Sequence, residues 1–123
     1  MSMEMGENVP VQFTIPQTEL LAATPIEVVA PVAGFIREAS VIVQTAVTTG
    51  GVVTFKVGTT DVDGLSLTVA DGATKGTVVG PDEPTAFDDS RKVTKGQRIQ
   101  VVPSAAFDTA GALAGVLIIN TAH

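Results

Sequence analysis

The amino-acid sequence predicts an all-β fold, an antiparallel, jelly-roll-like β-sandwich of about eight strands. Short segments that alternate apolar and polar residues recur along the chain, and stretches rich in Gly, Pro, Asp and Thr separate them. Helical periodicity is almost absent. The chain has neither Cys nor Trp, which an immunoglobulin domain would carry, so its long cross-connections favour a jelly roll.

The first two predicted strands flank a proline-rich connection. Residues 9–15 alternate, and the prolines at both ends of this segment favour an edge strand, because proline cannot donate to a sheet ladder. Residues 17–23 have some helical character, but we expect a loop because Thr24-Pro25 follows at once. Residues 26–30 are predicted to form the second strand.

Residues 35–58 are predicted to form the longest hairpin of the fold, closed by a glycine-containing turn. Strand faces repeat every two residues, so a register that keeps the apolar sets together pairs odd-numbered residues with odd-numbered residues. We therefore expect Val47 opposite Val53 and Val43 opposite Val57, around a three-residue loop at 49–51. The two apolar faces would consist of Val41, Val43 and Val47, and of Val53, Phe55 and Val57.

The second half of the chain completes the predicted sandwich. Residues 59–64 (TTDVDG) have the composition of a turn, and residues 80–89, with two prolines and four acidic residues, are predicted to form a long exposed loop. The closing strand, LAGVLIIN, is apolar enough to suggest burial on both faces. The predicted strands in this half are 65–69, 77–79, 98–103 and 113–120.

The chain length of 123 residues fits one domain. Residues 1–8 have no periodicity, and we expect a flexible N-terminal arm there, followed by a single sandwich domain over residues 9–123.

The charge pattern argues against several classes of partner. The net charge is −6 and the seven Lys and Arg residues are scattered, whereas binding to nucleic acid or to an acidic membrane surface needs a clustered positive field. Charged residues make up only 16% of the chain, against roughly 25% in an average soluble domain. We expect part of the surface to be covered by other subunits; a monomer with a neutral Thr/Ser/Gly/Ala surface is the alternative.

The residue types needed for catalysis are largely missing, and we expect no enzyme, no cofactor and no small-molecule substrate. The single imidazole is His123, the last residue, so no base is placed to activate a serine nucleophile. The sequence has no glycine-rich phosphate loop and no cysteine for a zinc site. Without Tyr or Trp to stack on a sugar ring, glycosidase and lectin functions are disfavoured.

The segment Asp61-Val62-Asp63-Gly64 resembles the opening of a calcium-binding loop, in which alternating carboxylates converge on one ion. The fifth and twelfth positions of such a loop would be Leu65 and Gly72, which supply no ligand. We therefore favour a turn without metal, with Asp61 and Asp63 as the only candidate calcium ligands.

Arg37 and Glu38 are unusual neighbours inside a predicted strand. Consecutive residues of a strand face opposite ways, so one of these charges would point into the core unless a β-bulge intervenes. We expect a bulge. The alternative is that one of the two residues forms an ion pair between subunits.

Four segments resemble the small β-proteins that decorate phage capsids, also called cement proteins. They are SVIVQTAVTTGGVVTFKVG, the strand GLSLTV at residues 64–69, VTKGQRIQVVPS with its turn at Lys95-Gly96, and GALAGVLII. The resemblance as a whole covers roughly residues 31–120.

This resemblance implies a structural virion protein. Such a protein would sit on the outer capsid surface, commonly as a trimer, and would bridge and stabilise neighbouring copies of the major capsid protein. Two other classes stay open, namely a fibre-tip or adhesin module that binds glycan or protein, with or without calcium, and an enzyme domain of another kind.

Overall fold

The computed structural model describes residues 7–84, 91–105, 107 and 112–121. Residues 1–6, where we predict a flexible arm, and His123 lie outside these ranges. Across the described residues the chain forms two antiparallel sheets packed as two layers, which confirms the predicted all-β class.

The described residues contain nine strands and one short helix. In chain order these are β1 (Asn8–Ile15), α1 (Gln17–Ala22), β2 (Ile26–Val29), β3 (Gly34–Val43), β4 (Gly51–Val57), β5 (Thr60–Val69), β6 (Val78–Asp82), β7 (Lys92–Val93), β8 (Arg98–Pro103) and β9 (Leu113–Asn120).

Strands that follow one another in sequence mostly lie in different sheets. Sheet A has the order β1-β9-β3-β6, and the two-residue strand β7 also pairs with β3. Sheet B has the order β2-β8-β4-β5. Every one of these pairings is antiparallel. The chain therefore crosses between the layers repeatedly, and β4–β5 is the one pairing of consecutive strands among the described residues.

The hydrophobic core fills the space between the two sheets. Because strand side chains alternate between faces, each strand contributes every second residue. Phe13 of sheet A and Phe55 of sheet B meet in an edge-to-face contact, with ring centroids 6.0 Å apart and planes inclined by 71°. The largest fully buried side chains also include Ile15, Leu20, Ile36, Leu65, Leu67, Ile99, Leu113, Leu117 and Ile119.

The predicted hairpin over residues 35–58 does not form. Its first arm is β3, which pairs with β6, β7 and β9 in sheet A, and its second arm is β4, which pairs with β5 and β8 in sheet B. The predicted apolar faces are correct, since Val43, Val53, Phe55 and the other members of both sets are buried. The two faces pack against each other across the core, so both sets are buried without any hydrogen-bonded register between them.

The loop predicted for residues 17–23 is also wrong, because Gln17–Ala22 forms α1. The helix is held by burial of Leu20, which is fully inaccessible to solvent. It ends at Ala23, which adopts a left-handed conformation (φ 56°), and the backbone N–H of Thr24 donates to the carbonyl of Glu19. Tertiary burial of one leucine outweighs the helix-breaking effect of the Thr24-Pro25 pair.

Two predicted connections contain more strand than expected. The turn between β4 and β5 is confined to Gly58 and Thr59, and the rest of TTDVDG begins β5. The loop predicted for residues 80–89 starts later, because β6 extends through Asp82 and pairs with β3 near Ala39. Residues 85–90 lie outside the described ranges.

Strand β1 is an edge of sheet A, as the flanking prolines predict. The strand begins at Asn8. The backbone N–H of Glu7 donates to Oγ1 of Thr121, and the carbonyl of Glu7 accepts from the N–H of Thr121. Glu7 and Asn8 therefore do not belong to a flexible arm. Hydrogen-bonded positions alternate along an antiparallel pair, which places Pro10 on the free side of the strand. Its missing N–H interrupts the exposed edge and disfavours strand addition there.

Candidate functional site

The β3 strand places Arg37 and Glu38 together on the outer face of sheet A. Ile36 pairs with Ile119 and Glu38 pairs with Ile118, so Arg37 is an extra residue without a partner on β9. This is the predicted β-bulge. Ile36 and Ala39 on either side are both buried, whereas Arg37 is exposed and Glu38 is half-buried. The bulge keeps both charged side chains out of the core.

Arg37 is oriented along the sheet by an asparagine contact. Its Nη1 donates to Asn8 Oδ1 at 3.3 Å, and Asn120 Nδ2 donates to the same oxygen at 2.9 Å. The contact links β3, β9 and β1 at one end of sheet A. Within the described residues neither Arg37 nor Glu38 forms an ion pair, so each charge is available to a group from outside the chain.

Apolar side chains occupy much of the outer face beside these charges. Ile42 and Val78 form a cross-strand pair on β3 and β6, and their exposed fractions are 36% and 63%. Val116 and Ile118 on β9 are half-buried. The prediction that β9 is buried on both faces is therefore met on the core side, while the outer side is only partly covered.

A shallow groove crosses this face and is called the apolar groove below. Thr14, Ala114, Ile42 and Val78 form one continuous cross-strand row, and Val116 pairs with Ser40 in the next. Small side chains on β9 and β3 form the floor, and larger aliphatic ones form the walls. The volume is about 350 Å³, and the lining includes Thr14, Ser40, Ile42, Val78, Ala114 and Val116.

The floor of the apolar groove is low because of Gly115, which faces the core directly beneath it. A methyl group at this position would lie 2.4 Å from Cζ of Phe13 and 2.7 Å from the carbonyl oxygen of Ser40. Glycine therefore lets the Phe13 ring cross β9 and reach Phe55 of sheet B.

The outer face of sheet B is polar by comparison. Glu27, Gln100, Lys56 and Asp61 form one cross-strand row over its four strands. Gln100 Nε2 donates to Glu27 Oε1 at 3.2 Å, and Lys56 Nζ lies 3.7 Å from Asp61 Oδ1. Arg98 Nη1 is 3.6 Å from Glu27 Oε1. These charged and amide groups pair with one another and remain in contact with solvent.

The candidate calcium ligands lie on sheet B, away from Arg37 and Glu38. Asp61 faces solvent and pairs with Lys56, so its carboxylate already has a cation. Asp63 lies in an irregular stretch of β5. Asp61 pairs with Lys56 and Ser66 pairs with Thr54, so four residues of β5 lie opposite the single residue Phe55 of β4. Within the described ranges, no three His, Cys, Asp or Glu side chains converge to hold a metal ion.

The exposed pair Ile42 and Val78 was not identified from the sequence. A signal was present for Ile42, which stands on the outward side of the alternating run SVIV, where a polar residue is usual. The local sequence contained no comparable signal that Val78 would be exposed, because its exposure depends on the position of β6 at the edge of the sheet.

Comparisons of the chain with protein families, with curated proteins and with solved structures found no match. Among the described residues, no helix is long and apolar enough to cross a membrane.

Proposed function

We propose that this chain is a structural, non-enzymatic virion protein with a jelly-roll fold that acts as a trimer, binds the outer surface of a capsid and bridges subunits of the major capsid protein. The observation that carries the proposal is the outer face of sheet A, which has the apolar groove with its exposed Ile42 and Val78 at one end. Arg37 and Glu38, which form no ion pair within the described residues, lie towards the other end. Exposed apolar surface of this kind is typical of protein contacts.

The strand order supports the jelly-roll part of the proposal. With β7 set aside, eight described strands form two four-stranded sheets, and the chain alternates between them except at the β4–β5 hairpin. Double-sheet jelly rolls are built from two Greek keys of this kind and are common in capsid proteins.

The capsid enters the proposal through the resemblance of residues 31–120 to decoration proteins. The low fraction of charged residues, 16% of the chain, supports the oligomeric part of the proposal. In such a trimer, three copies held together would make several weak capsid contacts at once. Linked contacts raise the overall affinity far above that of each contact alone, as a bridging protein requires.

Co-sedimentation tests the proposal. The purified chain is mixed with empty shells assembled from the major capsid protein of the same genome, and the pellet is quantified over a range of concentrations. Saturation at a fixed number of copies per shell is the expected result. Shells that already carry their full complement of the chain are the control and should take up none.

Failure to bind bare shells would contradict the proposal and favour the adhesin alternative. That alternative predicts a signal on a glycan array, or a melting temperature that rises with added calcium.

A further inference from the structure

The outer face of sheet A carries apolar side chains that remain exposed in the single chain. The apolar groove lies at one end of this face, where β1 and β3 end and β6 and β9 begin. We infer that this face is a contact between two copies of the chain, related by a two-fold axis. The corresponding face of sheet B has one exposed large apolar side chain among the described residues, Val29 at its β2 edge. Charged and amide side chains that pair with one another occupy the row across its four strands, so it offers no comparable apolar groove.

Charge complementarity identifies the second copy as the occupant. The bulge in β3 places one positive and one negative side chain, Arg37 and Glu38, on the same face, and neither forms an ion pair with another described residue. A pair of opposite charges is complementary to itself after rotation by 180°. A two-fold axis parallel to the strands brings Arg37 of each copy towards Glu38 of the other at one end of the face and stacks the two apolar grooves at the other end.

The net charge of the chain limits which surface two copies can use to bind each other. Two copies with a charge of −6 each repel one another at long range, so their contact is favoured where the local charges cancel. The outer face of sheet A meets this condition, since Arg37 and Glu38 carry opposite charges towards one end and the residues that line the apolar groove at the other end are uncharged.

The area of the face sets the strength of the contact. Four strands spaced about 4.8 Å apart, each presenting about seven residues at roughly 3.3 Å, give a face of roughly 440 Å². A stable interface buries about 800 Å² on each partner. The contact is therefore reversible, with a dissociation constant in the micromolar range or weaker.

The inference concerns copies of this chain alone and does not depend on capsid binding. It is compatible with the proposed trimer, because assemblies with D3 symmetry combine two-fold and three-fold axes. In that case the two-fold contact joins one trimer to another.

Analytical ultracentrifugation of the full chain, without any shell, tests the contact from low micromolar to millimolar concentration. The species present at low concentration should double in mass as the concentration rises. Val78→Lys should raise the dissociation constant at least tenfold, because it places a charge in the apolar groove. Val29→Lys is the matched control, since Val29 is 65% exposed on sheet B, and it should leave the association unchanged.

Charge-reversal variants distinguish a second copy of the chain from any other molecule that could bind this face. Arg37→Glu and Glu38→Arg should each weaken the association about tenfold, because like charges then face one another. The double variant Arg37→Glu/Glu38→Arg should restore it, since the two charges remain complementary between copies. Far-ultraviolet circular dichroism verifies that each variant is folded.

Two results would overturn the inference. The first is a mass that does not double at any concentration, and the second is an equal loss of association in Val78→Lys and Val29→Lys. If the first result is found and Val78→Lys also loses shell binding, the capsid occupies this face. Failure of shell binding alone would leave the two-fold contact intact, so the two proposals can be judged separately.

Discussion

At the scale of single residues, Gly115 determines how the two sheets meet. Phe13 lies over this glycine and contacts Phe55 of the opposite sheet, so the absence of one side chain on β9 allows an aromatic contact across the core. The same glycine lies beneath the apolar groove. A change at this position therefore affects both the core and the outer face.

Gly115→Ala should lower the free energy of unfolding by about 2 kcal/mol, since the added methyl group forces the Phe13 ring or the Ser40 backbone to move. Urea unfolding followed by far-ultraviolet circular dichroism measures the effect. Ala114→Ser is the control on the outer side of the same strand, and it should change stability by less than about 0.5 kcal/mol. Equal stability of Gly115→Ala and the parent would show that Phe13 is not held against β9.

At the scale of the strand, the bulge in β3 corrects the alternation of side chains. Arg37 is the extra residue, and its presence allows Ile36 and Ala39 to point inward although two residues separate them. Without a bulge, one half of β3 would present its apolar side chains to solvent.

Deletion of Arg37 should therefore be tolerated, because it turns β3 into a regular strand in which Ile36, Glu38 and Ala39 alternate. We expect the melting temperature to fall by no more than about 5 °C, mainly through loss of the hydrogen bond to Asn8.

Deletion of Ser40 is the matched control. It shifts the alternation by one residue and turns either Val41 and Val43 or the preceding half of β3 outward, so we expect no cooperative thermal transition. Similar melting curves for the two deletion variants would contradict the assigned bulge.

The helix α1 owes its formation to one buried side chain. Leu20 is fully buried and its neighbour Leu21 is 41% exposed. Leu20→Ala should cost about 3 kcal/mol of unfolding free energy, because it leaves a cavity at the end of the core. Leu21→Ala should cost less than about 1 kcal/mol. Urea unfolding of both variants measures the difference, and similar losses would argue against the burial of α1.

At the scale of the whole molecule, the topology joins distant parts of the chain. The first strand pairs with the last, β3 pairs with β9, and β2 pairs with β8. Only the β4–β5 hairpin brings consecutive strands together within the described residues. A fold of this kind has to close long loops before its strands gain their hydrogen bonds.

Refolding should accordingly be slow for a domain of this size, with relaxation times of milliseconds to seconds. Stopped-flow far-ultraviolet circular dichroism is the suitable measurement, because the chain has no Trp or Tyr to report by fluorescence. Complete refolding within microseconds would be inconsistent with the strand order described here.

The sequence by itself determined the fold class and the faces of most strands. Val53, Phe55 and Val57 are buried as predicted, and so are Val41, Val43 and Val47. Side-chain direction in a strand is a local property that repeats every two residues, so it can be derived from a short segment. The bulge at Arg37 was predictable for the same reason, because two adjacent charges cannot both face outward in a regular strand.

Only the tertiary structure decided which strands pair and which side chains stay exposed. The arms β3 and β4 can bury their valines either as a hairpin or across two sheets, and the local pattern is the same in both cases. The choice depends on the hydrogen bonds and the packing supplied by distant strands, such as β9 for β3 and β8 for β4. The apolar groove depends on that same choice, since the exposure of Ile42 and Val78 follows from the position of β6 at the edge of sheet A.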